Sequence, residues 1–225
     1  MEQVGERALI VEGGAMRGVF SCGILDHFLA NDFSPFDSFW GVSAGASNLA
    51  AYLAKMPGRN LKIYLDYSLR KEFISPSQIL RGGDMMNLDW MWNVTLEELG
   101  IDKSALKADS RPFFLGVTRQ DNGQAEYHTP NVDELAETMK ASSALTKRML
   151  KETPGLIEPM LTRKVRYNQT LALIDNPPSG VEIIQVCPPE SFKLKRLSRS
   201  PVPLRQAYEL GIEAGKEAIM RWNQK

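Results

Sequence analysis

A chain of 225 residues with 43% hydrophobic and 24% charged residues has the balance of a globular protein, apolar enough to bury a core and too apolar for disorder. Lys+Arg and Asp+Glu both number 27, so the formal net charge is zero and no global positive field points to nucleic acid as a partner. Two cysteines, Cys22 and Cys187, cannot build a disulfide framework, and neither a basic-then-apolar leader nor a long uncharged apolar run occurs, so a reducing cytoplasm and no spanning helix are expected.

Residues 8–12 (ALIVE) are a short apolar run stopping at Gly13 and Gly14, as a buried strand feeding a glycine turn would. Residues 17–30 are apolar nearly all round, the pattern of a crossover helix laid on a sheet. After a loop at 31–35, residues 36–42 (FDSFWGV) predict a second strand, and residues 44–55 a helix of small and apolar side chains. Strand, helix, strand, helix at this pitch is a βαβ unit, and right-handed crossover makes its sheet parallel. Residues 59–70 predict a helix, whereas 79–92, rich in Gly, Met and Trp, are less regular. A strand at 112–118, the turn signal Asp121-Asn122-Gly123 and a strand at 124–128 predict a hairpin. Residues 132–144 predict an amphipathic helix, residues 181–186 (VEIIQV) another buried strand, and residues 204–222 the closing helix.

The chemistry centres on Gly41-Val42-Ser43-Ala44-Gly45, a G-x-S-x-G pentapeptide between a predicted strand and a predicted helix. Small residues flanking Ser43 permit the strained turn of a nucleophile elbow, and the helix N-terminus favours negative charge developing beside it. A plain helix cap by Ser43 is the alternative reading. Acyl transfer also needs donors for an oxyanion. Gly13, Gly14, Ala15, Arg17 and Gly18 make a second glycine turn, at the end of the neighbouring strand, with backbone amides and a positive side chain to offer. A phosphate loop of the Walker type is excluded because Val19 and Phe20 follow Gly18. A dinucleotide fingerprint fails at Ala15 and lacks an acid after the second strand. His27 lies about ten residues into the first helix, roughly 15 Å from the glycine turn. His128 falls in the hairpin, so a serine-histidine triad is poorly served and a carboxylate base is expected. No spacing of His, Cys, Asp or Glu suggests a metal, and no cofactor is expected.

The two glycine motifs, at this spacing and on these elements, resemble those of the patatin-like phospholipases, serine lipid acyl hydrolases that use a Ser-Asp dyad. The FSPFD segment at 33–37, RGGDMMNLDW at 81–90, ASSAL at 141–145 and PPSGVEIIQVCPP at 177–189 are similar to a bacterial subgroup. The resemblance implies an α/β fold, a three-layer α/β/α sandwich with a mainly parallel central sheet and the elbow on an early strand. It implies one domain over 1–225, with the oxyanion loop and nucleophile in 1–145 and a C-terminal part in 146–225. Ser43 would be the nucleophile, the amides around Gly14, Ala15 and Arg17 the oxyanion hole, and a lipid or acyl ester the substrate, with peripheral membrane contact. The sequence says nothing of oligomeric state.

Two departures stand out. Ala15 replaces the third loop glycine, which is expected to require a negative φ there. The family's dyad aspartate sits in an Asp-Gly motif, and this sequence has no Asp-Gly dipeptide. The resemblance implies a block carrying it between Leu145 and Thr146, where this sequence has none. Either the block is omitted from the sequence, or the chain carries a true deletion and is a non-catalytic lipid- or acyl-binding relative. Loss of a core strand would leave a bare sheet edge, which favours omission. Asp175 is the nearest substitute, with loop capping the expected role. Trp90, Trp92, Met85 and Met86 read as core or as a lipid-touching lid. Lys193, Lys195, Arg196 and Arg199 read as a solvated loop or as a contact for anionic head groups.

Overall fold

The computed structural model describes residues 4–73, 87–119, 121–143, 158 and 161–224. Strand β1 (Ala8–Val11) leads through a 3-10 turn (Ala15–Gly18) into α1 (Val19–Ala30), and β2 (Ser38–Gly41) into α2 (Ala44–Leu53). Next come α3 (Arg59–Leu65), a 3-10 turn (Tyr67–Leu69), α4 (Leu88–Glu98) and α5 (Lys103–Ala108). The hairpin β3 (Phe113–Thr118) and β4 (Ala125–His128) precedes α6 (Leu135–Ser143), α7 (Arg163–Asp175) and α8 (Pro201–Asn223). The sheet order is β1-β2-β3-β4, with β1, β2 and β3 parallel and β4 antiparallel to β3. The protein is thus α/β with a mainly parallel sheet, as the βαβ pattern predicts.

Alternation along the strands decides which face is core. Val11 and Phe39 are buried with Leu25 and Phe28 of α1 and Leu49 and Tyr52 of α2. Leu115 is buried with Ala46 and Ala50 of α2 and Leu135 and Met139 of α6. On the opposite face Trp40 stacks on Phe114 at 4.0 Å and meets Tyr127 edge-on, while Ile10 is 75% exposed. Helix α8 closes the helical layer by lying directly on α1. A Cβ on Gly23 would sit 2.2 Å from the Tyr208 carbonyl oxygen, and one on Gly211 would sit 2.1 Å from that of Phe20. Asp26 of α1 accepts from the Tyr208 hydroxyl at 2.9 Å and the Gly58 amide at 3.1 Å, and its burial pushes the carboxyl pKa up.

Several boundaries move for local reasons. The helix expected at 132–144 starts at Leu135, because the Asn131 side chain takes the amides of Asp133 and Glu134 first. The helix expected at 59–70 breaks into α3 and the 3-10 turn. Helix α5 was not foreseen, although Asp102 caps it by accepting from the Ser104 and Ala105 amides. Residues 181–186 are a correction: they form no strand, and Val181 is 51% exposed. An apolar run becomes a strand only where a ladder partner meets it, and among the described residues none does. Much of the irregular 79–92 stretch lies outside the described residues. Trp90 and Trp92 pack into two separate clusters, so the aromatic pair belongs to the core rather than to a lid, and Met85 and Met86 lie outside the described residues. No helix among the described residues is long and apolar enough to cross a membrane.

The N-terminal segment is tied to β2 by Asp37, which accepts from the Glu6 and Arg7 amides and from the Arg7 guanidinium at 2.8 Å. Those donors, the Arg7 side chain above all, hold the Asp37 carboxyl down at about 2. A depressed acid stabilises the fold fully above its unfolded pKa of about 3.9, and that contribution disappears as the pH falls toward the folded value. Asp37→Asn is therefore expected to flatten the loss of stability on acidification below about pH 4. Urea midpoints measured across that range check it, and an unchanged acid limb would refute the role given to Asp37.

Candidate active site

The strand-to-helix turn after β2 is built by what its glycines lack. A Cβ on Gly41 would meet the Ala46 backbone at 2.6 Å, and one on Gly45 would meet the Val11 carbonyl oxygen at 2.2 Å. Without those atoms, the first turn of α2 presses onto the ends of β1 and β2. Ser43 is left at φ 52°, ψ −122°, a left-handed φ that a side-chain-bearing residue adopts at a cost of about 1–3 kcal/mol. Its hydroxyl makes no capping bond to α2, so the plain helix-cap reading falls. The strain is held by backbone bonds: Gly45 N–H donates to Val42 C=O at 3.0 Å and Ser47 N–H to Ser43 C=O at 3.1 Å.

A further tie comes from α6. Ser43 N–H donates to the Ser142 hydroxyl oxygen at 2.9 Å, and that hydroxyl donates its own proton to the Gly116 carbonyl of β3 at 2.6 Å. One side chain thus joins the nucleophile turn, the sheet and α6. Ser142→Ala is expected to slow modification of Ser43 by an active-site acylating or phosphonylating probe by tenfold or more in folded protein. The conservative Ser142→Thr should restore part of the rate, and an unchanged rate in the alanine variant would show the contact to be idle.

The glycine loop approaches from β1. A Cβ on Gly13 would lie 2.9 Å from the Val42 carbonyl oxygen and 3.2 Å from Ser43 Cβ, so glycine lets the loop lie against the serine turn. Arg17 N–H donates to Gly14 C=O at 3.1 Å and Met16 N–H to Arg196 C=O at 3.1 Å. The Arg17 amide is therefore occupied in closing its own turn, a correction to its expected place among the oxyanion donors. Gly13, Gly14 and Ala15 remain the loop's candidate donors. Gly18 ends the turn where a Cβ would meet the Tyr64 hydroxyl at 2.5 Å.

Ala15 is a second correction, since its φ is +49° rather than negative. The tertiary frame imposes a glycine-like conformation on alanine at a cost of about 1–2 kcal/mol. Ala15→Gly is expected to raise the urea midpoint slightly, relief of strain outweighing glycine's greater unfolded entropy, and β-branched Ala15→Val to lower it. The reverse order of midpoints would contradict this.

A buried polar chain backs the loop. Asn48 of α2 donates to Gly18 C=O at 2.7 Å and to the Ser21 hydroxyl at 3.0 Å, and accepts from Asn60 at 2.9 Å. Asn60 also accepts from Arg59 at 2.8 Å, whose Nε donates to Leu99 C=O at 2.8 Å. Sequence reasoning missed Ser142, Asn48 and Asn60 as site residues. The available signals were a polar Asn48 in an otherwise small and apolar helix and the family-like ASSAL segment that holds Ser142.

Neither histidine serves Ser43. His27 lies beside Asn31, and a Cβ on Gly215 of α8 would meet its Cβ at 3.1 Å. His128 opposes Leu115, which opposes Gly41, so two strand spacings, about 10 Å, separate its backbone from the elbow strand. Asp175 is the exposed last residue of α7. Among the described residues no side chain hydrogen-bonds the Ser43 hydroxyl, and no cluster of three His, Cys, Asp or Glu side chains forms. The junction of Leu145 and Thr146 lies outside the described residues.

A mainly parallel sheet with a strained serine turn beside a glycine loop sets a hydroxyl next to backbone amides, the arrangement that acyl transfer at a serine needs. The chain belongs to the patatin-like phospholipase family, whose model matches residues 9–167, from β1 into α7. A domain of unknown function, DUF6363, matches residues 153–224. The chain is also 38% identical over 146 residues to the Escherichia coli (strain K12) protein named "Uncharacterized protein YjjU", a match covering 64% of this chain and 41% of that protein. The chain thus spans less than half the length of this relative.

Proposed function

We propose that the protein is a serine acyl hydrolase of lipid or acyl esters, with Ser43 as its nucleophile. The observation that carries this is Ser43 at φ 52° with its hydroxyl uncommitted, next to Gly13 of the glycine loop. In this reading the Ser43 hydroxyl attacks the ester carbonyl while its proton passes to a carboxylate, and the amides of Gly13, Gly14 and Ala15 hold the oxyanion. The alcohol leaves, and water then releases the acyl group from Ser43. The family resemblance implies an Asp-Gly aspartate as that carboxylate; this sequence holds no Asp-Gly dipeptide, so no residue of the chain is assigned to the role. The chain forms one domain, its C-terminal part after residue 145 being a separate stretch brought up to the first. The DUF6363 match from residue 153 supports that division. The protein works in the cytoplasm and meets lipid peripherally.

A second reading rests on the same hydroxyl: with no described base beside it, the chain is a non-catalytic acyl-binding relative. Hydrolysis of p-nitrophenyl esters of graded acyl length separates the two. Continuing turnover supports the hydrolase. A single equivalent of nitrophenol with no turnover means a nucleophile without a base. No release, with fatty acid still bound, supports the second reading.

A further inference from the structure

Residues 190–199 contain Glu190 and four basic side chains, Lys193, Lys195, Arg196 and Arg199. By sequence alone they are a charged loop near the far end of the chain. The fold lays them against the glycine loop. The Arg196 carbonyl takes the Met16 amide at 3.1 Å, the Phe192 ring meets Phe20 edge-on at 5.7 Å, and the Arg17 guanidinium lies 5.7 Å from that ring. Leu194 is buried with Met16, Val19 and Leu204. Because Phe192 and Leu194 point inward, Lys193 and Lys195 stand in solvent. Ser198 N–H donates to Lys195 C=O at 3.1 Å, closing a turn with Arg196 and Leu197 at its tip. Leu197 is 42% exposed, and Val202, at the start of α8, is 63% exposed. Among the described residues none of the four basic side chains has an ion-pair partner, and Arg199 alone of them is tied to the fold, its guanidinium donating to the Leu69 carbonyl at 3.4 Å.

We infer that this strap, with Arg17, is a docking surface for an anionic phospholipid bilayer and delivers the Ser43 turn to lipid at the head-group level. The lipid partner rests on the acyl hydrolase reading above. Part-exposed Leu197 and Val202 sit beside these cations, and a bilayer interface takes both, the cations on head groups and the apolar side chains beneath them. The two loops together carry five positive side chains against two acids, Glu12 and Glu190. Nucleic acid fits less well, because the strap's one aromatic, Phe192, is turned inward and cannot stack on a base.

The test is co-sedimentation of the full chain with phosphatidylcholine vesicles, with and without phosphatidylglycerol. Binding is expected to the anionic vesicles and not to the neutral ones, and to weaken as salt is added. Each basic side chain near an anionic leaflet contributes roughly a factor of five, so Lys193→Gln, Lys195→Gln and Arg199→Gln together should weaken binding roughly a hundredfold. Leu197→Asp should weaken it further, with melting temperature and soluble-ester turnover unchanged in all variants. Equal binding to neutral vesicles, an unaffected triple variant, or binding to an RNA oligonucleotide but not to vesicles would each overturn the proposal. Vesicle binding without ester turnover would keep this surface and remove the hydrolase reading. Ester turnover without vesicle binding would do the reverse.

Discussion

Ser43→Ala abolishes ester turnover and leaves stability within about 0.5 kcal/mol of the parent, while Ser43→Gly is equally inactive and more stable by about 1 kcal/mol. The two variants separate chemistry from strain. Alanine removes a hydroxyl that no described side chain engages but keeps the Cβ, and with it the cost of φ 52°. Glycine removes the Cβ as well and lets the turn relax in place. Residual turnover in Ser43→Ala would show that the nucleophile lies elsewhere. A less stable glycine variant would show that the turn stores no strain. The pattern expected is that of a site whose geometry is maintained at the expense of stability.

The largest loss of stability is expected from Gly211→Ala. The added methyl would lie 2.1 Å from the Phe20 carbonyl oxygen and 3.1 Å from the Gly23 Cα, and neither backbone atom can rotate away. Helices α1 and α8 must separate, at a cost of about 3 kcal/mol, the upper end for overpacking a core. The damage should reach the site, because Leu204 and Ala207 of α8 pack with Met16 and Val19 around the glycine loop. Gly100→Ala is the control, since its nearest neighbour would be the Leu96 carbonyl oxygen at 3.5 Å. Urea denaturation of the pair checks the contrast, and similar midpoints would mean that the two helices do not meet backbone to backbone.

What the sequence displayed was local. β1, β2 and α2 were legible because apolar runs bounded by Gly13, Gly41 and Gly45 state both the element and its end. The strand expected from Phe36 begins at Ser38, because Phe36 packs with Phe28, Phe33 and Trp222 instead of joining the ladder. Ser43 was legible because an elbow needs small residues at fixed offsets. Ser142 was not, since its partner is 99 residues away and only the packing of α6 on β3 brings them together. The positive φ at Ala15 is not legible in the residue type, because the Met16 and Gly14 backbone bonds dictate the turn. Helix α7 went unseen because Val165, Tyr167 and Leu173 are exposed, so its apolar residues trace no buried stripe. The basic strap was visible as a charge run, but its place beside the glycine loop is a property of the fold alone.

The most direct measurement is intact-mass analysis of the folded chain after reaction with a fluorophosphonate, followed by peptide mapping. The account predicts one adduct per chain, on the peptide holding Ser43, and none on the Ser43→Ala variant. A folded chain that takes no adduct, or takes it on another residue, would contradict Ser43 as the nucleophile.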